Sequence, residues 1–307
     1  MEPLVKSRKL YKYFHDKKQR QTIKACDGVS LSVSRGRTLG LVGESGCGKT
    51  TVGRILLRLL DPDYGEVCFD GINLTRMKEK ELRSLRNNFQ MIFQDSDSSF
   101  NPRMRVYDTL KESIQLHNPM KSKQLKEYIN FLISRVNLSR GVLYGFVGNL
   151  SGGEIKRLDV ARALSIHPEF IIADEPLSLL DLSIQSQLAN LFMEVQQEED
   201  TAILYISHDL RMVEMLSHTV AVMYRGKVLE LASRSDITDS PLHPYTIHLW
   251  DPMSYNFYVK FPESGCVYKN SCVLFQKKGF PLACSEKQPE LKEVEKNHLV
   301  ACHFAGQ

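Results

Sequence analysis

No stretch of this 307-residue chain holds the roughly 18 consecutive apolar residues that a membrane-spanning helix needs. The charged amino end also lacks the apolar segment of a signal peptide. Both absences predict a chain made and kept in the cytoplasm, with any membrane role supplied by a partner. Charge of one sign is scarce too. The net charge is only +4, which does not demand a nucleic-acid partner. Internal repeats and low-complexity tracts are missing, and no pair of cysteines has the C-x-x-C spacing of a zinc ribbon. Cys26, Cys47 and Cys68 are scattered and predict free thiols in a reducing compartment. What remains, 42% hydrophobic and 25% charged, suits one large or two modest globular domains.

What is present begins with Gly43-Glu44-Ser45-Gly46-Cys47-Gly48-Lys49-Thr50, followed by Thr51. This fits G-x-x-x-x-G-K-[ST], the loop that binds nucleotide phosphates. The apolar run Leu39–Val42 reads as a buried strand before it. A helix with Val52, Ile55, Leu56, Leu59 and Leu60 on one stripe follows it. Strand, glycine loop and helix are the context the motif requires. Glycines turn the backbone so that its N–H groups face phosphate oxygens, and the helix start adds a positive dipole. Lys49 is placed to reach the β- and γ-phosphates, and the Thr50 hydroxyl to ligate Mg²⁺.

Elsewhere the pattern alternates strands and helices. Residues 4–24 read as a solvated strand pair with Tyr11, Tyr13 and Phe14 among lysines. Val29–Val33 alternates as a half-buried strand, and Arg35-Gly36 turns it into the next. Glu66–Phe69 and Phe89–Phe93 predict strands, with Asp70-Gly71 a hairpin turn. Residues 106–138 predict an inserted helical segment. Gly148–Glu154 opens a helix, and Phe170–Ala173 is an apolar strand that carries Asp174 and Glu175 to its tip. A helix over 183–197 and strands at Ala202–Ile206, Val220–Met223 and Val228–Glu230 follow. The rhythm predicts an α/β core with a largely parallel sheet. It stops at the proline-bearing segment Ser240–Pro244, a domain boundary. At the end of a buried strand Asp174 can hold Mg²⁺, and Glu175 can polarise an attacking water.

Together these motifs resemble the ATP-binding subunits of ABC transporters. Leu150-Ser151-Gly152-Gly153-Glu154 matches that family's signature, Gln94 its Q-loop, Ser178-Leu179-Leu180-Asp181 its D-loop and His208 its switch histidine. Phe14 stands where the family stacks adenine, with Tyr13 the second choice. The resemblance spans residues 4 to about 232. It implies an ABC nucleotide-binding domain over 1–232 with a mixed sheet core and a helical subdomain at about 100–160. It also implies ATP and Mg²⁺ as cofactors and a head-to-tail dimer with a second ATPase subunit, identical or paralogous. In that dimer Ser151, Gly152, Gly153 and Glu154 face the other subunit's nucleotide, Gln94 touches Mg²⁺ and the attacking water, and His208 bonds the γ-phosphate. Lys156 departs from the glutamine usual there, and Leu177 and Leu179 replace smaller residues.

A narrower resemblance is to the oligopeptide, dipeptide and nickel importer branch. It rests on Phe93-Gln94-Asp95, Ser99 to Met104, Asp181 to Gln185 and His243-Pro244-Tyr245-Thr246. It implies an ATPase that powers peptide uptake, or nickel or metal-chelate uptake, at the cytoplasmic face of the membrane. The partners implied are two permease subunits and, indirectly, an external substrate-binding protein, with no direct nucleic-acid contact. A soluble ABC ATPase acting on nucleic acid or the ribosome is the competing class; it usually carries two cassettes. A kinase or GTPase would need only the phosphate loop, and the signature and His208 argue against it.

Residues 233–307 then form a small extension. Its cysteines run Cys266-x5-Cys272-x11-Cys284-x17-Cys302. Four such thiols could bind Zn²⁺ or a [4Fe–4S] cluster, or could simply be structural. The branch resemblance favours iron–sulfur. His303, beside Cys302, is not expected to be a ligand.

Overall fold

A computed structural model of the chain describes residues 2–16, 21–96, 99–178, 180–251 and 264–306. They group into two compact units that alternate along the chain. Elements are numbered in chain order.

One unit takes in residues 5–32, 39–75 and 206–307. In it β1 (Val5–Asp16) pairs antiparallel with β2 (Gln21–Val29) and with β5 (Tyr64–Phe69), and β5 turns into β6 (Ile72–Asn73). Asp70 and Gly71 both have positive φ, as a two-residue primed hairpin turn requires. The expected Val29–Val33 strand is broken. The alternating residues Val29, Leu31 and Val33 are all buried, but β2 ends at Val29 and β3 is only Ser32–Val33. A second sheet runs β12-β13-β11-β10-β4. Here β4 is Thr38–Val42, β10 Thr219–Tyr224, β11 Lys227–Ser233, β12 Lys292–Glu295 and β13 His298–Val300. β10 is parallel to β4 and antiparallel to β11, and β13 is antiparallel to both β11 and β12. The sheet is therefore mixed rather than largely parallel. The C-terminal extension supplies two of its strands.

Among the described residues six helices belong to this unit. α1 (Lys49–Leu56) follows the phosphate loop, α7 (Leu210–Leu216) precedes β10, and α8 (Arg234–Asp239) and α9 (Pro244–Trp250) open the extension. Within the extension lie the short α10 (Val273–Lys277) and α11 (Leu282–Glu286). α1 stops earlier than its apolar stripe predicts. Arg58 turns to positive φ, donates to the Leu74 carbonyl and pairs with Asp61. Leu57 is buried in place of Leu59, which is 49% exposed.

The other unit holds residues 1–4, 33–38 and 76–205. Its strands lie in the order β9 (Ala202–Ile206), β8 (Phe170–Asp174), β7 (Phe89–Ile92), with β7 and β8 parallel. α2 (Glu79–Leu85) precedes β7. α3 (Val106–His117), α4 (Ser122–Arg135) and α5 (Gly152–Leu164) pack on one another, and α6 (Leu182–Glu198) follows β8. The predicted stripe, Val106, Leu110 and Ile114 with Leu125, Ile129, Leu132 and Ile133, is buried throughout. Burying each such side chain is worth about 1.5–3 kcal/mol, so the stripe holds the three helices together. Leu179 and most of the linker from Thr246 to Cys266 lie outside the described residues.

Candidate nucleotide site

β4 is buried at every position and delivers the chain to Gly43. Gly43 has φ 150, and a Cβ there would collide with the Met223 carbonyl oxygen of β10. Gly48, the N-cap of α1, has φ 112, and its Cβ would meet the Ala25 carbonyl of β2. Only glycine fits at either place. The loop is tied at its centre where the Cys47 carbonyl accepts the Gly226 N–H at 2.8 Å. Burial pushes the Cys47 thiol's pKa up. Lys49 is buried and folds back on the loop. Its Nζ donates to the carbonyls of Gly43 at 2.8 Å and Glu44 at 2.9 Å. Thr50 and Thr51 are half-buried in the first turn of α1, while Glu44, Ser45 and Gly46 face solvent.

Beside the loop opens a cavity of ≈ 730 Å³. Glu44 to Cys47 form one side, Lys24, Arg225 and Lys227 supply positive charge, and Ser264 and Val267 close it from the extension. Lys227 is paired with Asp27 at 2.8 Å. Burial opposes ionisation of Asp27, but its bonds from Lys227 and Tyr13 prevail and hold the carboxyl below its ordinary range. Tyr13 is thereby committed, its hydroxyl on Asp27 at 2.9 Å. Phe14 is not; its ring stays 41% exposed, with the Lys12 ammonium 5.9 Å from its centroid. Of the two aromatics, Phe14 offers the open face. His208 is exposed in the turn between β9 and α7, where the neighbouring Ser207 N–H reaches the Leu41 carbonyl of β4 at 3.4 Å.

In the other unit, Asp174 ends β8 and is 1% exposed, and Glu175 beside it is also buried. Glu175 has φ 52, a left-handed conformation that costs a non-glycine residue about 1–2 kcal/mol. Its carbonyl is held by three donors: Lys156 Nζ at 2.8 Å, Ser178 Oγ at 2.9 Å and the Ser178 N–H at 3.3 Å. Lys156 also donates to Ser178 Oγ at 2.8 Å. Burial lowers the pKa of this lysine, and the carboxylates of Glu175, Asp159, Asp174 and Asp95 oppose that shift. In the sequence Lys156 registers only as a departure from a family pattern. The structure makes it the clamp on Glu175.

Ser151 caps α5 in a reciprocal box. Its hydroxyl accepts from the Glu154 N–H, and the Glu154 carboxylate accepts the Ser151 N–H at 2.9 Å. Those bonds hold the Glu154 carboxyl below its usual range. Ser151 and Gly152 are exposed, Gly153 and Glu154 half so. Gln94 is exposed just after β7. Its segment is fastened to α5 by Asp159, a residue sequence reasoning passes over. Asp159 Oδ2 accepts from Ser96 Oγ at 2.9 Å and from the Phe93 N–H at 3.4 Å, while Arg162 pairs with Oδ1 at 2.6 Å. Burial pushes its pKa up against these partners. Its signal was a lone acid on the apolar side of α5. Asp181 caps α6 by accepting the Ile184 N–H at 3.0 Å, and Leu177 is buried.

In the extension Cys266, Cys272 and Cys284 are buried and Cys302 is half-buried. Burial pushes Cys266 up to about 12 and Cys272 up to about 11 and raises the other two, with further repulsion among the four. Cys266 lies beside Cys284, whose carbonyl accepts its N–H at 2.9 Å. Among the described residues no group of three or more His, Cys, Asp or Glu side chains is arranged to hold a metal ion. The [4Fe–4S] or zinc arrangement implied by the resemblance is thus not formed by these side chains as they stand. His303 bonds the Lys287 carbonyl at 2.9 Å, away from any ligand role.

Among the described residues no helix is long and apolar enough to cross a membrane. Residues 26–178 match the family model described as ABC transporter. The chain is 40% identical to the oligopeptide transport ATP-binding protein AppF of Bacillus subtilis, over 99% of this chain and 98% of that protein. It is 36% identical to a putative peptide import ATP-binding protein of Brucella ovis, over 98% and 97% of the two chains. A bacterial ABC transporter cassette solved as a dimer, MJ0796, superposes with a TM-score of 0.69 at 22% identity, covering 75% of this chain and 98% of that one. The structural likeness shows the fold, and the sequence identity over the full length shows the kinship: the chain belongs to the ATP-binding subunits of ABC transporters.

Proposed function

We propose that the chain binds and hydrolyses ATP and that this turnover powers the uptake of peptides through a membrane permease. The observation that carries the reading is identity of 36–40% to proteins named for oligopeptide transport or peptide import, extending through the C-terminal extension. The nickel importer reading has no such support. Deleting the gene should abolish ATP-dependent uptake of a labelled peptide, and restoring it should restore uptake. Unchanged peptide uptake with lost nickel uptake would favour the metal branch instead.

The residue roles follow from chemistry. Phe14 stacks the adenine, Lys49 and the loop N–H groups from Glu44 to Thr51 hold the phosphates, and Glu175 orients the attacking water. His208 bonds the γ-phosphate. Thr50, Gln94 and Asp174 are all oxygen donors, the set that suits Mg²⁺, and these residues would hold it. When bound, that ion neutralises charge that develops on the phosphates. Ser151 to Glu154 serve the nucleotide of a second cassette, identical or paralogous, in a head-to-tail dimer. A cleft of ≈ 300 Å³ among the helices, lined by Arg105, Tyr107, Lys126 and Tyr144, supports a docking place for a permease. Tyr144 and Phe146 are exposed there. The chain then works at the inner face of the membrane without entering it.

The four extension cysteines support a separate reading as a thiolate site for [4Fe–4S] or Zn²⁺. Its support is the presence of four free thiols in one short segment; against it stands the lack of a ligating arrangement among the described residues. Metal binding would have to expel protons from thiols that burial keeps neutral. Protein prepared without oxygen and carrying about four irons and four sulfides per chain would establish the cluster. Zinc alone would replace it, and no metal with a folded extension leaves structural thiols.

A further inference from the structure

We propose that Tyr245 is a positioning residue for the phosphate loop, and that the C-terminal extension acts on nucleotide binding through it. The inference rests on the reading that this loop holds the phosphates of ATP.

The peptide between Gly43 and Glu44 is held at both edges. Its carbonyl, that of Gly43, accepts Lys49 Nζ at 2.8 Å. Its N–H, that of Glu44, donates to the Tyr245 hydroxyl at 3.0 Å. A peptide unit is a rigid plane, so two grips on opposite edges fix its orientation. The two grips differ in what happens when nucleotide arrives. A lysine ammonium has three N–H donors, and each one that turns to a phosphate oxygen is drawn from those available to the Gly43 and Glu44 carbonyls. The tyrosine bond asks nothing of the lysine and stays. Gly43 is the residue least able to hold its own backbone, because glycine has the widest choice of φ and ψ. Tyr245 is therefore the grip on the first peptide of the loop for which the phosphates do not compete.

Tyr245 is itself firmly placed. It is fully buried in the first turn of α9, and its N–H donates to His243 Nδ1 at 3.0 Å. Its ring lies 4.6 Å from that of Tyr224 and 5.4 Å from that of Tyr268. Burial, reinforced by the Glu44 carboxylate, raises the pKa of the hydroxyl, so it stays neutral. Tyr268 comes from the extension, two residues after Cys266. The extension also grips the approach to α9. Glu230 of β11 pairs with His298 of β13 at 2.7 Å and accepts the N–H groups of Leu242 and His243 at 2.7 and 3.0 Å. Every residue in this chain of contacts is within one unit, and it ends on the phosphate loop.

The test uses the full chain and measures ATP affinity by displacement of a fluorescent ATP analogue, beside the melting temperature without nucleotide. Tyr245→Phe keeps the ring and removes only the acceptor. ATP affinity should fall about tenfold, the scale of one hydrogen bond that the loaded loop would lose. The nucleotide-free melting temperature should move by no more than about 4 °C, because Lys49 still holds the peptide there. A purely structural tyrosine would show the reverse, a lower melting temperature with unchanged affinity, and that result would overturn the proposal. Tyr268→Leu removes the extension's ring and leaves the hydroxyl. It should weaken ATP binding about threefold, and no change would overturn the extension's part. Lys49→Ala is the control. If it binds ATP as the parent does, the reading of the loop fails first and the inference with it.

Discussion

Glu175 carries a cost that only its surroundings offset. A left-handed backbone at a glutamate is unfavourable, and three donors on one carbonyl hold it there. The carboxylate is then aimed by a clamp whose largest charge is Lys156. Two predictions follow at this scale. Glu175→Gln keeps the backbone and its donors but cannot accept a proton. It should retain ATP binding and lose turnover by about 100-fold or more in the assembled complex, read from steady-state ATPase rates. Near-normal turnover would remove Glu175 from the chemistry. Lys156→Met takes away both the donor and the charge. Turnover should fall about tenfold with ATP affinity changed less than about twofold, since the lysine acts through Glu175 and not on the nucleotide. Lys156→Gln, still a donor, should recover part of the rate; if Gln and Met variants behave alike, the hydrogen bond is not what matters.

Motif residues were legible at this scale because phosphate chemistry restricts them to few types at fixed spacing. Lys49, Asp174, Glu175 and Ser151 announce themselves in that way. Tyr245 and Asp159 do not. Their partners lie 201 and 63 residues away in sequence, at Glu44 and Ser96, and no local spacing encodes a contact of that range.

Among the elements, periodicity found the buried strands and the helix pair α3–α4, and composition hid the rest. β12, Lys-Glu-Val-Glu, is exposed at all four positions and has no apolar alternation to read. It exists because β13 offers it a partner, and β13 exists because β11 has a free edge. The break after Ser240 was read as the end of the α/β core, yet the chain returns to the same sheet 50-odd residues later. What guards that return is a turn built on His243. Burial drives its pKa down to about 3 from an ordinary 6.5, a contact with Ala301 opposing only weakly. The unfolded chain takes up this proton near pH 6.5 and the folded one does not. Stability is thus unaffected above about pH 6.5 and falls as pH drops toward 3, by up to about 1.4 kcal/mol per unit. His243→Asn keeps an acceptor for the Tyr245 N–H and cannot titrate. Denaturant melts between pH 5 and 6.5 should show a flatter acid limb in the variant, and parallel limbs would mean that His243 is protonated in the folded chain.

For the whole molecule, the question is what one chain can do alone. The signature offers N–H groups and a helix dipole from an exposed end, with its serine and glutamate bonded to each other. Such an end can receive an anionic ligand, and its exposure leaves it open to one carried by a second cassette. Gly153 makes the test clean, because its own chain tolerates a side chain there. Its φ is not in the left-handed region, and a Cβ would meet only the end of the Leu180 side chain, at 3.2 Å. An acid in the first turn of a helix is favourable as well. Gly153→Asp should therefore leave the melting temperature and the ATP affinity of the isolated chain close to those of the parent. In the assembled transporter it sets a carboxylate against a triphosphate, and hydrolysis should collapse by about 100-fold or more. Mixing the variant with Lys49→Ala chains extends the argument if the cassettes are identical. One of the two sites in the mixed dimer would then pair an intact loop with an intact signature, and some activity should return. Loss of ATP binding by the isolated Gly153→Asp chain would mean that the signature meets nucleotide within its own chain, and the head-to-tail arrangement would have to be given up.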